Sequence, residues 1–184
     1  PGSWSEKTGA AVAKALTGLG LAKGQIGTIG DATTAPLLAE LATLMPGARL
    51  RSDNAIIDRM LRVPSRREVD MFRAAAQLIS IGTQAAYHVT RPGVTDAEIY
   101  AAFTYAQLAR GGETGDGYQI GINEYGTHCG KPYGRKVRPG DLINLYISNV
   151  AYQGYNAQTA RMIAVGEITR RQEEVLAICA EGVK

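Results

Sequence analysis

Cysteine, histidine and blocks of like charge are all scarce in this chain. It carries 2 cysteines and 2 histidines in 184 residues. Cys129 and Cys179 stand in unlike contexts with no metal-ligand spacing, which excludes a cysteine-built zinc site and makes a reducing, cytoplasmic setting the expectation. The net charge is only +3, with Lys and Arg scattered along the chain. That pattern argues against nucleic acid as the main partner. No apolar run reaches the roughly 18 residues of a membrane span, so no membrane association is expected. The opening PGSWSEKTG lacks the basic and apolar regions of a signal peptide. The glycine-rich piece 111–117 is followed by no Gly-Lys-Ser/Thr, so it is not a phosphate loop. There is no short tandem repeat and no low-complexity tract.

What is present is concentrated between Tyr118 and Gly166. Six of the 9 tyrosines fall between Tyr118 and Tyr155. His128 sits among them in a Gly- and Tyr-rich loop. A Pro139-Gly140 turn, an apolar run from Leu142 to Ile147, a second turn region and a strand-like run ending at Val165 follow. A polar aromatic cluster with a histidine and an arginine, set between strands, suits a pocket that hydrogen-bonds a small polar ligand. An ordinary meander with amphipathic tyrosines has the same composition.

The rest of the chain reads as alternating helices and short strands. Helices are expected at 5–19, with Ser5 as its cap, at 34–44 and at 54–62, with short extended pieces at 25–29 and 48–51. This αβα pattern reads as the tail of a small α/β domain. Val63-Pro64 is a breakpoint. Three capping boxes follow, Ser65/Glu68, Thr95/Glu98 and Thr169/Gln172. They open helices over 66 to about 91, to about 110, and over 170–183. The first has its apolar stripe at Val69, Phe72, Ala76, Ile79, Thr83 and Ala86. The last carries Val175, Leu176, Ile178 and Cys179 on one side. Between them about four strands are expected. The fold class is α/β (α+β), and the pattern resembles one layer of a larger sandwich.

Five ordered motifs resemble the creatinase/prolidase/aminopeptidase P/methionine aminopeptidase (peptidase M24-like) group, the pita-bread fold. They are the junction Leu61-Arg62-Val63-Pro64-Ser65 through Glu68-Val69, the helix break Pro92-Gly93-Val94-Thr95-Asp96-Ala97-Glu98, the string from Gly121-Ile122-Asn123 to His128, the strand start Gly140-Asp141-Leu142-Ile143, and Gly154-Tyr155 through Arg161. The resemblance implies that 1–63 is part of a creatinase-like N-terminal domain and 64–184 the first half of a pita-bread domain. The family's second half, with further His and Glu residues, is expected elsewhere.

Departures from the family pattern bear on the chemistry. By resemblance, family peptidases hold two divalent metals through two aspartates in this half. The matching positions here are Tyr146 and Gln158. A phenol and an amide do not replace bridging carboxylates for a hard divalent ion, so no metal and no cofactor is expected. The creatinase branch, which this segment most resembles, cleaves a C–N bond without metal and uses a histidine at the His128 position for proton transfer. Imidazole suits that task because its pKa lies near working pH. The creatinase also places a glutamate just before the motif arginine to hold a guanidinium. That position is Ala160 here, so a cationic amidine loses its counter-charge.

The expectation is therefore a metal-independent hydrolase of a small amide or amidine. His128 is its catalytic residue, and Tyr146, Gln158, Arg161 and Tyr155 contact substrate. By resemblance a homodimer is implied. The alternatives are a non-catalytic domain that binds a peptide or small ligand, and an Xaa-Pro dipeptidase or aminopeptidase. His88, near a helix C-terminus where a cation is favoured, and Cys129, whose side chain in an extended loop faces away from that of its neighbour His128, are given no role.

Overall fold

The computed structural model describes residues 4–30, 33–113, 118–124 and 130–183. The chain divides into two units, Pro1–Pro64 and Ser65–Lys184.

In the first unit, helix α1 (Trp4–Gly18) precedes β1 (Gln25–Thr28), α2 (Ala35–Leu44), β2 (Arg49–Ser52) and α3 (Asn54–Arg62). Ser5 lies inside α1 rather than capping it, since the helix already includes Trp4. The helix ends in a paired bond pattern, Leu21 N–H to the Leu16 carbonyl and Gly20 N–H to that of Thr17. That closure needs a left-handed residue, and Gly20 has φ 77°. Strands β1 and β2 pair in parallel, Gln25 opposite Arg49, with α2 as the crossover. Ala13, Leu41 and Met45 form the small core.

The second unit is built on α4 (Arg66–Val89), α5 (Asp96–Leu108), β3 (Tyr118–Ile122), β4 (Leu142–Tyr152), β5 (Tyr155–Ala164) and α6 (Arg170–Glu181). All three capping boxes form, with Ser65, Thr95 and Thr169 each accepting from the backbone N–H three residues on. Helix α4 stops at Val89, and Thr90 is extended at ψ 115°. Pro92, which lacks the N–H a continuing helix needs, follows closely.

Three expectations are corrected here. The buried stripe of α4 is Ala75, Leu78, Ile79, Gly82 and Ala86; Phe72 and Ala76 are exposed. The stripe is centred on small residues because the helix lies close to α5. A Cβ on Gly82 would stand 2.7 Å from the fully buried Phe103 ring. The sheet has three strands among the described residues, in antiparallel order β3-β4-β5, where about four were expected. The turn expected after Ile147 is absent. Strand β4 instead runs 11 residues, and its register shifts between Ile147 and Val150. Asn149 takes up the extra residue at φ 56°, a left-handed conformation that asparagine tolerates. The reversal comes at Gln153-Gly154, with φ 51° and 80°, a two-residue hairpin turn.

Alternation along β4 separates the sheet faces. Ile143, Leu145 and Ile147 are fully buried with Ile99 and Phe103 of α5 and Leu78 and Ile79 of α4. Leu142, Asn144, Tyr146 and Ser148 point the other way and are half-buried. Helix α6 has no buried residue. No helix among the described residues is long and apolar enough to cross a membrane.

Candidate active site

Tyr146 lies mid-strand on the sheet face away from α4 and α5. Directly opposite it are Gln119 on β3 and Ala160 on β5. Two residues along β5 from Ala160, and so on the same face, is Gln158. Its Nε2 donates to the Tyr146 hydroxyl at 2.7 Å. The two positions where the resemblance implies metal-binding aspartates are therefore in direct contact, filled by a phenol and a carboxamide. Neither is a carboxylate, and their donor set does not fit a pair of hard divalent ions.

Gln119 was not anticipated. Its side-chain oxygen is buried and has no hydrogen-bond partner among the described residues. Sequence alone gives it no signal, because its placement beside Tyr146 depends on the β3–β4 register.

The other named residues lie elsewhere. Arg161 is opposite Leu145, hence on the other face of β5 from Gln158. Its guanidinium donates to Thr159 Oγ1 at 2.6 Å and to the Ala160 carbonyl at 2.7 Å. Tyr155 starts β5, and its hydroxyl donates to Glu68 Oε1 at 3.3 Å. Its ring stands edge-on to Phe72 with centroids 5.3 Å apart. Burial, then the neighbouring Glu68 charge, raises the Tyr155 phenol above its ordinary value. Hydrogen bonds from the Ser65 side chain and backbone hold Glu68 below its own. Tyr155 thus ties β5 to the first turn of α4. His128 and Cys129 lie outside the described residues. His88 rests its Nδ1 on the Gln84 carbonyl at 2.7 Å.

The motif residues that precede and follow 125–129 in the chain are tied to one another by hydrogen bonds. Asn123, at φ 51°, donates from Nδ2 to Asp141 Oδ1 at 2.8 Å and accepts from Leu142 N–H at 2.9 Å. Asp141 also accepts from Arg138 N–H at 2.7 Å. So the asparagine of one motif and the aspartate of the next hold each other. Buried Asp96 accepts from the backbone N–H groups of Tyr133, Gly134 and Arg135 at 3.0, 2.8 and 3.0 Å. Its partners are 37 to 39 residues away, which is why the sequence shows it only as a residue inside a capping box. Ile122, Asn123, Glu124 and Asp141, with Gly134, Arg135, Lys136 and Arg138, line a cleft of about 570 Å³. The cleft shares no residue with the Tyr146–Gln158 pair. The pair stands at the two positions where the resemblance implies metal-binding aspartates.

Comparison with known proteins bears on the family and the fold. The family model for metallopeptidase family M24 matches residues 70–184. An uncharacterized hydrolase/peptidase of Sinorhizobium fredii is 33% identical over 140 residues, which cover 72% of this chain and 35% of that protein. Among solved structures, an X-Pro aminopeptidase from Thermotoga maritima superposes with a TM-score of 0.83 at 19% identity, over 95% of this chain and 49% of its own. An Xaa-Pro dipeptidase from Bacillus anthracis gives 0.80 at 21%, over 98% and 49%. At these identities the structural matches speak for the fold. The chain spans about half the length of those solved relatives and about a third of the curated one. From the family model and the fold together, the chain belongs to metallopeptidase family M24.

Proposed function

We propose that the protein to which this chain contributes hydrolyses a C–N bond in a small amide or amidine without a metal ion. His128 is the proton-transfer residue in this reading. It takes a proton from the attacking water and returns one to the departing nitrogen, which imidazole does well near neutral pH. The observation that carries the proposal is the Tyr146–Gln158 hydrogen bond. At the two positions where the resemblance implies carboxylates, this chain places a phenol and a carboxamide bonded to each other. They are suited to orienting a polar substrate, not to lowering the pKa of a metal-bound water. A small-molecule substrate, a homodimeric assembly and a cytoplasmic location belong to the same proposal.

A second reading, an Xaa-Pro aminopeptidase or dipeptidase, is favoured by the names of the solved structures the fold matches. One experiment separates the two. The intact protein is assayed on a panel of small N-substituted amides and amidines and on Gly-Pro and Ala-Pro, before and after exhaustive chelation. Turnover of a non-peptide that survives chelation and is lost in His128→Ala supports the first reading. Dipeptide turnover that chelation abolishes and Mn²⁺ restores overturns it for the second.

A further inference from the structure

We infer that Gln119, Tyr146 and Gln158 form a recognition row for a neutral amide or ureido group and select against both cationic amidines and carboxylates. The inference rests on the preceding proposal that this sheet face meets the substrate, and it narrows the chemistry of that substrate. The bond from Gln158 Nε2 to the Tyr146 oxygen leaves the phenolic hydrogen to donate and Gln158 Oε1 to accept. In the reverse amide orientation the phenol donates inward, and the Gln158 NH2 and the phenolic oxygen face outward. Either way the pair offers one donor side and one acceptor side and carries no net charge.

Gln119, directly across β3–β4 from Tyr146, adds a buried oxygen with no partner among the described residues. An orphaned buried acceptor costs free energy until a donor arrives. A ligand N–H supplies one, while the Tyr146 hydroxyl serves the ligand carbonyl.

Charge works in the same direction. The row's neighbours on this face are Asn144, Ser148, Ala160 and Met162, none of them ionisable. Among the described residues of this face, a guanidinium or amidinium meets no carboxylate. Among the described residues a carboxylate meets no cation on this face, because Arg161 projects from the other one, in register with Leu145. Desolvating either ion without a counter-charge is costly, whereas an amide exchanges its water hydrogen bonds for equivalent ones.

The test uses three isosteres of different charge: acetamide, acetate and acetamidinium. Each is titrated into the intact protein while the side-chain amide signals of Gln119 and Gln158 are followed by NMR. Acetamide is expected to shift those signals and to bind about tenfold or more tightly than either ion. Tyr146→Phe should weaken acetamide by about tenfold while leaving Tm unchanged. Gln158→Glu, at an exposed position, should bring acetamidinium ahead of acetamide.

Equal or tighter binding of an ion by the native protein overturns the inference. So does a failure of all three to shift the two amide signals at millimolar concentration, or a Gln158→Glu variant that keeps the native order. None of these readouts involves turnover. Selective acetamide binding in a protein whose hydrolysis proves metal-dependent defeats the functional proposal alone. Metal-free hydrolysis with a preference for acetamidinium defeats this inference alone.

Discussion

A single buried carboxylate holds the loop at residues 133–135. Asp96 gathers three backbone N–H groups of residues 133–135, and no other side chain described there replaces it. Asp96→Ala leaves those donors unpaired and should cost about 2–3 kcal/mol in denaturant unfolding. Asp96→Asn should cost less. It keeps an acceptor for Gly134 and Arg135, which share Oδ1, and turns an NH2 toward the Tyr133 N–H, which now faces Oδ2. Equal stability of the native protein and Asp96→Ala would show that these bonds contribute nothing. At this scale the sequence was informative where motif spacing could be counted. Tyr146 and Gln158 were singled out that way, and their contact follows from period-two alternation on adjacent strands. Gln119 and Asp96 were not readable, since each acts through a partner fixed only by tertiary register. Arg161 shows the converse. Three residues from Gln158 in a strand is an odd step, and an odd step changes face.

Helix starts were the most legible elements, because a capping box is local: four residues contain both donors and both acceptors. Their charges make a pH prediction. Hydrogen bonds from the Ser65 side chain and backbone lower the Glu68 pKa from 4.5, and those from Thr95 backbone and side chain lower that of Glu98. A carboxylate depressed in the folded state contributes stability above its unfolded value and loses it as pH falls through the folded one. The α6 box uses Gln172 instead, which does not titrate. Acidification below about pH 4.5 should therefore speed amide exchange at the first turns of α4 and α5 beyond any change in the first turn of α6. Uniform exchange at all three would contradict this. Contact between α4 and α5 makes a second prediction. Gly82→Ala drives a methyl into the Phe103 ring and should destabilise by about 1–3 kcal/mol in thermal or urea unfolding; an unchanged Tm would mean the helices separate freely. Strand β4 was misjudged, for a physical reason. Ser148-Asn149 has turn composition, but cross-strand pairing continued past it as a bulge and left the reversal to Gln153-Gly154.

For the molecule as a whole, the fold is the first half of the pita-bread architecture, carried on a chain about half the length of its solved relatives. That much could be read from five motifs in order. The position of His128 relative to the Tyr146–Gln158 pair could not, because it lies outside the described residues. At the two positions where the family resemblance implies carboxylates, this chain carries a phenol and a carboxamide bonded to each other, and our proposal of metal-free chemistry rests on that pair. The most direct check is the divalent-metal stoichiometry of the intact native protein, purified without chelator and dialysed against Mn²⁺, Zn²⁺ and Co²⁺ in turn. Our reading predicts substoichiometric metal in every case, with no change in Tyr146→Phe or Gln158→Leu. Two tightly held equivalents that disappear in those variants would contradict it.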